Sequence, residues 1–278
     1  MKQFTIWQAP FYSFWSKSFY IDVAKNWRGG TYLYLFLLIC FTWVFMSIKK
    51  QMDFVYFADH QIAPVIAQMP VVTIDKGILS IDKPTPCTLK NKDGETIITF
   101  DTSDKPMALD SIPEDTYLVT KKAIYMYSQK TGIGGWRRDA GGTQADFSTF
   151  PDHVVFDQKA AHQFVSDLSK ALPIIIFMIG VPVGFVFCLL QSLIYGLIGL
   201  IMIRLEKIDL SYGALVRLSA VAMTPALLID SIIKVRSFDQ TTYYLWPIVA
   251  LIINLAYVIF AVYVNITNQD NKSESSIS

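Results

Sequence analysis

The sequence predicts an α-helical polytopic membrane protein: four transmembrane helices, with a small, mainly antiparallel β domain on the extracytoplasmic side inserted between helices 1 and 2. Three observations carry this. Residues 171–203 form a run of 33 without a formal charge, broken in polarity only by Gln191 and Ser192. At roughly 1.5 Å per residue such a helix reaches roughly 50 Å, whereas a bilayer needs about 20 apolar residues. Of the 47 Lys, Arg, Asp and Glu residues, 30 fall within 49–170, which marks that segment as the one facing water. Inside the same segment the apolar pattern switches to short alternating runs punctuated by Gly and Asp, the period of strands.

Residues 1–31 form a cytoplasmic, interfacial segment in which Phe4, Trp7, Phe11, Phe14, Trp15 and Phe19 mix with Ser13, Ser16, Lys17, Ser18 and Asp22. A helix is expected from Pro10. Two readings stand: an amphipathic helix lying in the interface plane, or an aromatic belt packed against the neighbouring helices. The first span, 32–48, is 17 residues long and ends at Lys49-Lys50. It is not expected to be a cleavable signal peptide, because about thirty residues precede it and no small-residue cleavage site follows.

The 49–170 domain begins with a helical arm in which Met52, Val55, Ile62 and Ile66 recur, interrupted at Pro64. Val71–Ile74 and Ile78–Ile81 flank Gly77 as a hairpin. Cys87–Lys90 and Thr96–Phe100 form a second around Asp93-Gly94, and Tyr117–Thr120 with Ala123–Tyr127 supply two more strands of a small antiparallel sheet. Asp157 is placed to cap a second helical arm through Ala160, Phe164 and Leu168. The two attachment points are expected side by side if the first two spans pack together. The long second span is expected to kink at Pro173 and Pro182. The third and fourth spans cover 212–233 and 244–265, and 266–278 is a polar cytoplasmic tail.

Four crossings put both termini on one side. Lys2, Lys17, Lys25, Arg28, Arg204, Lys207, Arg217 and Lys272 lie on the side of the termini, against Lys49, Lys50, Lys170, Lys234 and Arg236 at the opposite ends. This excess puts the termini in the cytoplasm and the β domain outside the bacterial inner membrane. The domain's 14 basic residues nearly cancel its 16 acidic ones, so no field exists to gather nucleic acid. Of Cys40, Cys87 and Cys188 only Cys87 lies in the domain, which excludes a disulfide within it.

Motifs for chemistry are few. His60, His153 and His162 lack the tight pairing of zinc ligands, so no metal is expected. The glycines of 132–142 lack the Lys-Ser/Thr and the strand-to-helix context of a phosphate loop, and no cofactor is expected. Trp136-Arg137-Arg138 reads as an exposed loop, with contact to headgroups or a partner as its alternative. No Gly-x-Ser-x-Gly or His-Glu-x-x-His occurs, and no catalytic residue is assigned. The strong polar side chains in the apolar runs are Gln191, Arg217, Asp230 and Asn254. Arg217 and Asp230 stand ~20 Å apart along one expected helix and read as interfacial residues reaching headgroups or water, with a substrate path as the alternative. Gly180 and Gly184 have GxxxG spacing, and Gly196 and Gly199 follow; close packing is expected, against this chain's other spans or a second copy.

The segments Phe14-Trp15-Ser16-Lys17-Ser18-Phe19-Tyr20 and Asp22 to Gly30, the strand Ile97 to Thr102 and the run Arg217 to Pro225 together resemble the bacterial domain-of-unknown-function family eleven-eighty-nine. The resemblance covers nearly the whole chain and implies a polytopic protein near the Yip-type membrane proteins. It brings no activity, cofactor or catalytic residue with it. The large inserted domain departs from ordinary Yip-type proteins. The expected function is that of a non-enzymatic membrane protein whose outer domain binds, senses or scaffolds, accessory to a membrane complex or self-associating in the lipid bilayer. A transporter or channel component is the alternative, and an intramembrane enzyme the third reading.

Overall fold

The computed structural model describes residues 3–108, 111, 116–127, 145–206, 208–236 and 240–275. The Gly-rich 132–142 stretch and Trp136-Arg137-Arg138 lie outside them. The chain divides into a helical unit, Met1–Lys50 with Leu172–Ser278, and a β unit, Gln51–Ala171. The helices are α1 (Ala9–Tyr12), α2 (Lys17–Asn26), α3 (Gly30–Phe57), α4 (Ala63–Ile66), α5 (Gln158–Leu205), α6 (Tyr212–Ala222), α7 (Thr224–Arg236) and α8 (Gln240–Ser275). Among the described residues four helical stretches are long and apolar enough to cross a membrane: Gly30–Ile66, Gln158–Leu205, Tyr212–Arg236 and Tyr244–Gln269.

In the helical unit the expected N-terminal helix is two helices. Pro10 sits in the first turn of α1, and the chain restarts at Ser16, whose Oγ accepts from the Phe19 N–H at 3.3 Å as the cap of α2. The two readings of this segment divide between them. Phe19, Tyr20 and Val23 on α2 and Trp27 just past it are fully buried, whereas Trp7, Phe11 and Trp15 remain 78%, 68% and 64% exposed. Trp27 meets Phe19 and Tyr34 edge-on at 5.4 and 6.1 Å, and Tyr20 meets Phe260 of α8 at 5.6 Å, the geometry favoured by ring quadrupoles.

The expected third span is also two helices. Pro225 has no N–H for the Val221 carbonyl, and the helix breaks at Met223. Thr224 Oγ1 donates to that freed carbonyl at 2.7 Å, and its remaining capacity is met by the Tyr34 hydroxyl at 2.8 Å. Since the Thr224 proton is already committed, Tyr34 is the donor of that second bond. By contrast α5 passes through Pro173 and Pro182 without a break.

Among the described residues the β unit holds two sheets rather than the single antiparallel one expected. β1 (Val72–Asp75) lies between β2 (Ile78–Ile81) and β8 (His153–Phe156), both antiparallel to it. The other sheet has the order β3 (Cys87–Lys90), β4 (Thr96–Asp101), β5 (Thr116–Thr120), β6 (Ala123–Tyr127) and β7 (Ala145–Asp146). Within it β4 and β5 run parallel, Ile98 opposite Tyr117, which a crossover of the 102–115 length permits and a tight turn does not. One apolar cluster, including Ile74, Leu79, Leu89, Phe100, Val119 and Phe147, serves both sheets.

Both hairpin turns follow the residues that favour them. Lys76 and Gly77 take φ of 48° and 77°, and Gly94 takes 83°. The first arm continues α3 through a π-turn at Ala58–Ile62, after which Pro64 opens α4. Asp157 Oδ1 accepts from Ala160 N–H at 2.7 Å and starts α5. Gln158 Nε2 donates to the Ala67 and Met69 carbonyls at 3.0 and 3.1 Å, so the two arms are joined within the β unit.

Candidate functional site

Helices α3, α5 and α7 enclose a cavity of about 220 Å³ in the helical unit. Its polar lining comes from Thr42 on α3, Cys188 and Gln191 on α5, and Asp230, Ser231 and Lys234 on α7. Asp230 and Lys234 are one turn apart, which brings Oδ2 within 2.7 Å of Nζ. The other carboxylate oxygen accepts from Trp246 Nε1 of α8 at 2.6 Å, so both oxygens of Asp230 are engaged.

The remaining polar groups turn inward on their own helices. Ser231 Oγ donates to the Leu227 carbonyl at 2.8 Å, Thr42 Oγ1 to the Ile39 carbonyl at 2.9 Å, and Gln191 Nε2 to the Tyr195 hydroxyl at 2.9 Å. At about 30 Å³ per water the cavity has room for several waters, and it falls below the 300–1,000 Å³ or so typical of ligand sites. Both lining hydroxyls are thus committed to backbone carbonyls of their own helices.

Two of the four polar positions read from the sequence, Gln191 and Asp230, line this cavity. Arg217 and Asn254 do not. Arg217 Nη2 donates to the Ala24 carbonyl at 2.6 Å, in the last turns of α2, where a cation complements the helix dipole. Its Nε and the Oδ1 of buried Asn254 are without a hydrogen-bond partner among the described residues. The glycines sit beneath side chains of this chain. A Cβ at Gly180 would overlap the Trp43 ring, and one at Gly184 would lie 2.8 Å from Trp43 Nε1. Gly196 faces Val216 and Tyr212, and Gly199 faces Leu215 and Val262.

Three participants lay within reach of sequence reasoning or just beyond it. Lys234 follows Asp230 by four residues, a spacing that marks an ion pair on a helix. Trp246 carries no such signal, since its bond to Asp230 crosses helices. Asp22 had figured only as a polar member of a mixed segment, yet it accepts from the backbone N–H of Gln3 and Phe4, from Asn26 Nδ2 at 2.7 Å and from Trp27 Nε1 at 2.9 Å. Burial works to raise its carboxyl pKa, but these donors together hold it below the usual carboxylate range.

His60 stacks on Tyr56 with ring centroids 4.0 Å apart, and His153 lies opposite Asp75 in the β1–β8 ladder. Among the described residues no three His, Cys, Asp or Glu side chains gather as a metal site. In the β unit a separate cavity of about 590 Å³ is lined by Asp104, Met107, Leu118, Lys121, Lys122 and Tyr125, among others. Lys121 and Asp104 are ion-paired at its wall.

A mostly helical chain with four span-length stretches among the described residues and a small β unit defines a class of multi-helix proteins with membrane-compatible helices. The chain belongs to the family described as "Protein of unknown function (DUF1189)", which it matches over residues 7–262. No curated protein and no solved structure matches it.

Proposed function

We propose that this chain is a non-enzymatic, multi-pass protein of the bacterial cytoplasmic membrane whose β unit, on the extracytoplasmic side, binds a ligand or partner for a membrane complex. The observation that carries this reading is how Arg217 and Asp230, within the apolar helices, are spent. Arg217 binds the Ala24 carbonyl, and Asp230 binds Lys234 and Trp246. Groups consumed in fastening helices to one another are not free to hand a substrate across. The cavity of about 590 Å³ in the β unit supports the binding role, being of the size small-molecule sites have. The balance of Lys and Arg at the span ends supports cytoplasmic termini.

Alkaline phosphatase fused after Gly94 is expected to be active and the same reporter at the C-terminus inactive; the reverse pattern would invert the orientation. Crosslinking in native membranes followed by mass spectrometry is expected to recover a second membrane protein at stoichiometric yield. Self-crosslinks alone would count against an accessory role. A transporter component is the second reading, favoured by the shared cavity of Gln191 and Asp230. It requires that Asp230→Leu and Asn254→Leu abolish function in chains that still fold, whereas the accessory reading expects partner recovery to survive both.

A further inference from the structure

Two apolar cavities in the helical unit share the walls Phe14, Phe41 and Leu228 and so adjoin as two sections of one groove-like face. The narrower section, about 400 Å³, lies between the N-terminal segment, α3 and α7, with Trp7 and Tyr34 among its walls. The wider section, about 840 Å³, continues past Phe45 and Ile232 to Arg236. Of the polar groups on these walls, the Tyr34 hydroxyl is bonded to Thr224 and the Ser231 hydroxyl to the Leu227 carbonyl. Arg236 makes no hydrogen bond or ion pair among the described residues, and it stands at one end of the groove with Trp7 near the other.

The dimensions select the occupant. Tyr34 and Phe45 stand eleven steps apart on α3, roughly 16 Å, and one leaflet of a hydrocarbon core is about 15 Å deep. Uncharged walls along one leaflet's depth, closed by a single unspent guanidinium, match an acyl chain with a phosphate above it. We propose that this groove holds one net-anionic phospholipid, its acyl chain along Phe41, Phe45 and Leu228 and its phosphate at Arg236. The inference rests on the membrane reading given above.

The test is native mass spectrometry of the full chain released from nanodiscs of mixed phosphatidylglycerol and phosphatidylcholine. Wild type is expected to retain one phospholipid, with a preference for phosphatidylglycerol of roughly fivefold, the worth of one basic residue at an anionic surface. Arg236→Gln is expected to retain lipid without that preference. Ile232→Trp, at a position 62% exposed where a larger ring is tolerated by the fold, is expected to cut retention at least tenfold; Phe45→Trp serves if that chain melts early. Millimolar inorganic phosphate is expected to displace nothing. An unchanged preference in Arg236→Gln, equal retention in the groove-filling variants, or a dimer that those variants dissociate would each overturn the proposal. Release of wild type from membranes by alkaline carbonate would instead sink the membrane reading itself.

Discussion

Two buried carboxylates show how differently the helical and β units use polarity. Asp22 of the helical unit gathers donors from Gln3 and Phe4, nineteen and eighteen residues away, and from Asn26 and Trp27 on and just past its own helix. Asp101 of the β unit accepts from Ser103 and Met107 N–H, two and six residues on, and from Thr85 on the adjoining loop. The first carboxylate ties distant segments together; the second shapes a local bend. Arg217 to Ala24, Asp230 to Trp246 and Tyr34 to Thr224 repeat the long-range pattern in the helical unit. In the β unit the chain is directed more by its turns and by an apolar core, with the bonds of Gln158 to Ala67 and Met69 as the long-range polar tie between its arms. An apolar helix surface offers little directional information, so few polar contacts decide which helix faces which.

This contrast predicts global damage from single changes in the helical unit and local damage in the β unit. The largest effect is expected for Gly180→Val, where the added side chain has no space beneath Trp43. Overpacking of this kind costs about 3 kcal/mol, read as a fall in the thermal midpoint of the detergent-solubilised chain. Trp43→Ala in the same chain is expected to restore part of it. A neutral Gly180→Val would mean that α3 and α5 do not approach closely there.

Next is Asp22→Ala, which leaves up to four donors without an acceptor and is expected to cost about 2 kcal/mol. The pH dependence carries a sign. Because the folded carboxyl titrates below its unfolded counterpart, its contribution is complete above the ordinary carboxylate range, near pH 4, and disappears as pH falls through the lower folded value. Asp22→Asn is therefore expected to flatten the acid limb of the midpoint-against-pH curve. Asp101 is likewise held low by its hydrogen bonds, against the opposing effect of burial, so hydrogen exchange around residues 101–107 should keep its acid sensitivity in that variant. Loss of both together would deny the independence of the two carboxylates.

What was legible in the sequence follows the same division. The hairpin of β1 and β2, the Asp157 cap and the Pro64 interruption are local events, set by residues within a few positions of one another, and period and turn chemistry reveal them. The charge-free runs were legible for the same reason. The parallel pairing of β4 with β5 and the return of β8 to β1 join segments whose patterns do not name their partners. The break at Met223 was written in Pro225, but an unbroken hydropathy run masked it. Gln191 and Asp230 stood out because hydrocarbon makes polar groups costly. Their common cavity depended on how α5 and α7 pack, which no spacing within either helix encodes.

Gly77→Ala tests the local half of the comparison. The residue sits at φ 77° with a Cβ position 3.1 Å from Ser148 Cα, and the substitution is expected to cost about 1 kcal/mol. Hydrogen exchange should quicken in Val72–Asp75 and Ile78–Ile81 and stay unchanged in α2, α6 and α8. Spread of the effect into those helices would break the distinction.

The smallest expected effect is a gain. Lys76 occupies φ 48° beside Gly77, a left-handed position that a lysine side chain disfavours and asparagine tolerates through local hydrogen bonding. Lys76→Asn creates the Asn-Gly pair that two-residue hairpins prefer. A stabilisation of about 0.5 kcal/mol is expected, seen as slower exchange of the β1–β2 ladder with the overall melting midpoint nearly unmoved. If the midpoint of the whole chain rose with it, unfolding of the hairpin would be coupled to that of the helices, and the two units would be one cooperative system despite their different use of polar groups.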